Sequence, residues 1–67
     1  MTVELLQKKY PVGTRVKIHT TDGLFLPKDI LATVTGHADN SLFTKGDDGY
    51  TRVLDIGHDR FAVVYHQ

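Results

Sequence analysis

The fold of this chain is decided by its last third, Gly46-Asp-Asp-Gly-Tyr-Thr-Arg-Val-Leu-Asp-Ile-Gly-His-Asp-Arg-Phe-Ala-Val-Val-Tyr65. The stretch contains two β-rich runs, residues 50–56 and 61–65, and two turn signals, Asp48-Gly49 and Gly57-His-Asp. Asp followed by Gly favours a tight turn, because glycine adopts positive φ without steric cost and the Asp side chain bonds nearby backbone. The stretch therefore predicts a hairpin whose apolar side chains the rest of the chain must cover.

The size and charge of the chain limit its function. Its 67 residues make a single domain, residues 1–67, with eight Lys and Arg, eight Asp and Glu, zero formal net charge and no cysteine. A chain this short buries only about 60% of the surface that it exposes when unfolded, which leaves no room for a deep substrate cavity. The lack of cysteine excludes disulfides and thiolate nucleophiles. We therefore expect no enzyme, no cofactor and no small-molecule substrate.

The hydropathy pattern bears on where the protein is found. No run approaches the ~18 consecutive apolar residues of a membrane helix, and no positively charged segment with an apolar core resembles a signal peptide. These observations predict a cytoplasmic protein that has no contact with a membrane.

The remaining pattern predicts one short helix and five strands. Residues 2–9 form the helix, which Thr2 caps and which is expected to dock through Leu5 and Leu6, because so short a helix is unstable alone. Alternation of apolar and polar residues, or apolar runs between turn signals, places strands at residues 14–20, 30–35, 41–45, 50–56 and 60–66. A turn is expected at residues 36–40, and Leu42 and Phe43 should point to opposite faces. The pattern predicts a mostly β fold, a small SH3-like five-stranded antiparallel barrel over residues 14–66.

Two features of this barrel are less defined. The strand at 50–56 could bury either Leu54 and Ile56, which would also bring in Arg52, or the opposite face with Val53, and the pattern leaves the register open. The last strand is apolar on both faces, so we expect both of its faces to be covered.

Four segments carry a family resemblance: Tyr10-Pro-Val-Gly-Thr-Arg-Val-Lys-Ile, Ala32-Thr-Val-Thr-Gly, Asp47-Asp-Gly and Gly57-His-Asp-Arg-Phe-Ala-Val-Val. Together they resemble a family of small uncharacterised proteins, a domain of unknown function carried by phages, plasmids and integrative elements of Gram-positive bacteria. The resemblance implies an SH3-like fold and a mobile-element origin, and it implies no reaction. Gly46 stands where the family usually has Trp, so a binding surface that used this Trp would be altered here.

Metal and catalytic sites find little support in the residue pattern. The four histidines lack the short spacings of metal-binding motifs, so we expect no metal site. The Asp residues of the last third sit in or beside turns, where backbone geometry explains them, and we expect no catalytic residue.

Two binding hypotheses remain. Aromatic and apolar side chains are the anchors of protein interfaces, and the candidates for contact with a protein partner, either host machinery or a second copy, are Leu24, Phe25, Leu26, Phe43 and Tyr50. The first three form an apolar tip on a loop at residues 20–28. The alternative is a nucleic-acid-binding face on which bases stack beside basic residues, with Tyr50 as the aromatic and the basic candidates Arg15, Lys17, His19, Arg52 and Arg60. The zero net charge favours the protein partner.

Overall fold

The computed structural model describes residues 2–20 and 28–65 and has one helix and five strands in this part of the chain. The elements are α1 (Val3–Lys9), β1 (Arg15–Thr20), β2 (Lys28–Ala38), β3 (Ser41–Gly46), β4 (Thr51–Asp55) and β5 (Phe61–Tyr65). All neighbouring strands are antiparallel, in the order β4-β3-β2-β1-β5. The mostly β class with a short helix is therefore confirmed. Within the described ranges β4 and β5 are the two edges and do not pair, so the sheet is not closed.

The helix α1 begins as its sequence predicts. The Thr2 side chain caps it by accepting a hydrogen bond from the Leu5 backbone N–H at 3.4 Å. The expectation that Leu5 and Leu6 dock together is wrong: Leu6 is fully buried, whereas Leu5 is 52% exposed. Adjacent helical residues point about 100° apart, and a helix lying on one sheet face buries only one of them. No helix of the described residues is long and apolar enough to cross a membrane.

The turn expected at residues 36–40 is shorter in the structure. Residues 36–38 belong to β2, and a β-bulge between Val34 and Gly36 absorbs the extra residue of this strand. The chain reverses at Asp39-Asn40, where Asn40 has a φ of 60°. Asn is one of the few residues besides glycine that adopt this left-handed conformation readily. With this extra residue β2 extends to Ala38, and the turn consists of residues 39–40 instead of 36–40.

The core lies on the face of the sheet that α1 covers. It consists of Leu6, Val16, Ile18, Ala32, Val34, Leu42 and Leu54. Leu42 is buried and Phe43 is exposed, so the two residues point to opposite faces as the alternation in β3 predicts. Burial of Leu54 settles the register of β4, and Arg52 lies half-buried on the same face, opposite Thr44. We call this the core face and its reverse the outer face.

The expectation for the last strand is wrong. β5 pairs only with β1 among the described strands, and Ala62, Val63 and Val64 are exposed. Of residues 61–64 only Phe61 packs against the core, with its ring 5.6 Å from the Tyr10 ring in an edge-on contact. The reason is the reach of α1, which lies against β2 and β3 and not against β5. β5 is thus an apolar edge strand.

Candidate functional site

The outer face carries an exposed apolar pair, Phe43 on β3 and Val53 on β4. The two residues are direct cross-strand partners, and their side chains are 40% and 57% exposed. Direct partners in an antiparallel sheet have Cβ atoms about 4.5–5.5 Å apart, so the pair makes one continuous apolar surface. Val53 is absent from the sequence-based candidates. Its position opposite Phe43 depends on the register of β4, which the sequence leaves open.

Gly36 on β2 forms the third part of this surface. It is the cross-strand partner of Phe43 on the other side of β3. A Cβ atom built on Gly36 would lie 3.3 Å from Phe43 Cδ2, so the ring rests against the β2 backbone where other residues carry a side chain. Aromatic side chains commonly cover a neighbouring glycine of a sheet in this way. Gly36, Phe43 and Val53, here called the Phe43 surface, therefore present the ring in a held orientation.

The other predicted partner-binding residues do not join the Phe43 surface. Tyr50 lies in the turn between β3 and β4, where the Arg52 guanidinium stands 5.9 Å from the centre of its ring. Arg52 belongs to the core face, so Tyr50 and Phe43 are not brought together on one face. The apolar loop tip, Leu24, Phe25 and Leu26, lies outside the described residues.

The predicted basic face is partly neutralised by the protein's own carboxylates. Arg15 on β1 donates two hydrogen bonds to Asp47, at 2.9 and 2.6 Å, and a third to Thr33 at 2.7 Å. His19 pairs with Asp29 at 2.6 Å. Bidentate Arg–carboxylate pairs satisfy the guanidinium group that would otherwise bind a phosphate. Lys17 and Arg60 are exposed, and they are the remaining basic candidates on or beside β1.

Arg52, the last basic candidate, is held in the same manner by Asp48, the residue that follows Asp47 in the turn. It donates to the two carboxylate oxygens of Asp48 at 3.0 and 2.7 Å, and the Tyr50 N–H donates to Asp48 at 3.2 Å. The hydrogen bonds from Arg52, helped by that N–H, lower the pKa of Asp48 to about 2. The hydrogen bonds from Arg15 likewise lower the pKa of Asp47. The turn thus uses two consecutive carboxylates to hold two arginines from different strands.

We expect the Asp48–Arg52 pair to contribute stability that depends on pH. The pKa of Asp48 is about 2 in the folded chain against an ordinary value of 3.8, so the unfolded chain binds this proton more readily. The contribution is therefore fully present above about pH 5 and is lost as the pH falls through 3.8 toward 2. Urea unfolding of the wild type and of Asp48→Asn, at a series of values from about pH 6 to about pH 2, measures this contribution to the free energy of unfolding. The stability difference between the two should shrink as the pH falls.

A substitution at Gly46 perturbs the same Asp48–Arg52 pair from a second position. A Cβ atom at this buried glycine would collide with Asp48 Oδ1 and would lie 2.6 Å from Arg52 Nη1. Gly46→Ala should therefore displace the pair and raise the pKa of Asp48 toward 3.8, which a carboxyl NMR titration reads directly. An unchanged pKa in this variant would contradict the arrangement. A larger side chain such as Trp at this position would not fit beside the pair as it stands.

Two further titratable side chains, His37 and Asp59, make hydrogen bonds within the fold. The Nε2–H of His37 donates to the Tyr10 carbonyl, which joins β2 to the end of α1. Asp59 accepts from the Asp55 N–H at 2.6 Å and so caps the turn after β4. In residues 2–20 and 28–65 no group of three or more His, Asp or Glu side chains could hold a metal ion. Searches against family models, curated proteins and solved structures find no match to this chain.

Proposed function

We propose that this chain is a non-enzymatic binding module that contacts a protein partner through the Phe43 surface. The observation that supports it is the exposed Phe43–Val53 pair with the ring seated on Gly36. Single exposed apolar residues are ordinary, but an aromatic held in a fixed orientation beside a second apolar residue is the kind of anchor that interfaces use. Such an anchor loses little side-chain entropy when it is buried.

The alternative, a nucleic-acid-binding face, has weaker support. Arg15 and Arg52 are each engaged by a carboxylate, and they lie on different faces of the sheet. A phosphate would have to displace Asp47 or Asp48 before it reached either guanidinium group. The formal net charge of zero also supplies no long-range attraction for a polyanion.

We also propose that the chain has an SH3-like architecture and that it originates from a mobile element. Five antiparallel strands and a long connection between β1 and β2 support the architecture. The motifs around Tyr10, Ala32 and Gly57 support the origin. A protein partner would then belong to the host cell.

A capture experiment tests the function. Tagged wild type, Phe43→Thr and Leu5→Gln are incubated with host lysate, both untreated and treated with nuclease, and any retained protein is purified and its affinity measured. The two variants are matched, because each removes one exposed apolar side chain, and threonine and glutamine suit a strand and a helix respectively. We expect Phe43→Thr to weaken binding by about thirty-fold, in the range of an interface hot spot, and Leu5→Gln to bind like the wild type.

Three results would contradict the proposal. The first is equal affinity of wild type and Phe43→Thr for the purified partner. The second is loss of all captured protein after nuclease treatment, which would indicate a nucleic acid. The third is a wild type that retains no protein at all.

A further inference from the structure

The free edge of β5 is the feature of the fold that neither the core nor the Phe43 surface uses. The Arg60 carbonyl accepts from the His19 N–H at 3.0 Å, so it points toward β1. Backbone groups alternate sides along a strand, and the N–H and C=O of Phe61 and Val63 therefore point away from β1. No strand in the described part of the chain pairs with this side of β5. These groups are an open template for another strand.

The opposite edge of the sheet is protected in ways that β5 is not. β4 carries the charged residues Arg52 and Asp55, and the Asp59 carboxylate covers the outward N–H of Asp55. β5, Phe61–Tyr65, has neither a charge nor a proline. Natural edge strands generally carry such a safeguard. Apart from its short length and a bulge beside Arg15 and Val16, β5 has none, so residues 61–63 are the edge at which the sheet can grow.

We propose that β5 pairs with β5 of a second copy of this chain, so that two sheets join into one across a two-fold axis. A bulge where β5 passes Val16 and Arg15 limits the regular outward edge to residues 61–63. The antiparallel register that uses this edge places Ala62 opposite Ala62 of the partner and Phe61 opposite Val63 of the partner. Ala62 is exposed on the outer face, and a small residue at the axis lets the two strands approach.

The charges of the chain are compatible with this partner. The outward cations nearest the axis are Lys17, the cross-strand neighbour of Ala62 on β1, and Arg60, two residues before Ala62. The two Arg60 positions stand four residues apart along the paired strands, about 13 Å. Across the axis the two Lys17 positions are separated by three strand spacings, about 14 Å, which exceeds the screening length of about 8 Å at physiological salt. The net charge of zero adds no general repulsion. Because the pairing uses each β5 once and β4 is protected, association stops at a closed dimer.

Sedimentation over a concentration series tests the pairing. So short an edge buries much less than the ~1,200 Å² of stable interfaces, so we expect the wild type to pass from monomer to dimer with a dissociation constant on the order of 100 µM. Ala62→Lys and Ala62→Glu should each remain monomeric, because like charges would face each other at the axis. An equimolar mixture of these two variants should associate again. Thr51→Lys, which adds the same charge to β4, should associate like the wild type.

The mixture distinguishes a loss of pairing from a loss of folding, because two unfolded variants would not associate when they are mixed. A wild type that stays monomeric at about 1 mM would overturn the proposal and leave the edge for a strand of another protein. Ala62→Lys that associates like the wild type, or a mixture that stays monomeric, would also overturn it. Capture through the Phe43 surface is a separate property, and Ala62→Lys should leave it unchanged.

Discussion

Replacing Leu42 with alanine is expected to lower the free energy of unfolding by about 3 kcal/mol. Leu42 is fully buried near the start of β3, opposite Leu54 on β4, and the truncation leaves a cavity that a sheet cannot close. The free energy of unfolding of a domain of this size is only about 5 kcal/mol. The loss should lower the melting temperature by about 15 °C. Thermal and urea unfolding measure the change.

The neighbouring residue supplies the control for this prediction. Phe43→Ala removes a larger side chain one position along the same strand, but on the outer face, and should cost only about 1 kcal/mol. This remaining cost comes from the contact of the ring with Gly36. If the two variants were equally unstable, Leu42 and Phe43 would not lie on a core face and an outer face.

Replacing Leu6 with alanine is the second large effect, and we expect it to cost about 3 kcal/mol as well. Leu6 is the only residue of α1 that is fully buried. The helix spans seven residues, too few to be stable in water without docking. Loss of the Leu6 contact should therefore release α1, and the helical circular dichroism signal should fall before the sheet unfolds.

Leu5→Ala is the matched variant for Leu6→Ala. It truncates the same side chain at the adjacent, exposed position, and we expect a change within about 0.5 kcal/mol. A variant at Leu5 that was as damaging as the one at Leu6 would show that α1 docks through a different face.

Local patterns predict much of this fold. Alternation along the strands predicts that Leu42 and Phe43 point to opposite faces, and the threonine before the helix predicts its cap. Asp48-Gly49 predicts the β3–β4 turn, where Gly49 has a φ of 91°. Each of these features depends on residues a few positions apart, and such short-range effects can be read directly from a sequence.

Features that depend on distant residues could not be predicted in this way. The pairing of Arg15 with Asp47 joins residues 32 positions apart, so Arg15 is counted as a free cation when the sequence is considered alone. The edge position of β5 follows from the order of all five strands. Val53 enters the candidate site only when the register of β4 is known. In each case the missing information is tertiary.

The most direct test of the Phe43 surface as the binding site is amide chemical-shift mapping of the ¹⁵N-labelled chain during titration with the captured partner. We expect the largest shifts at Gly36, Phe43 and Val53, on three adjacent strands of the outer face. Largest shifts at Lys17 and His19 on β1, with the amides of the Phe43 surface unchanged, would contradict it.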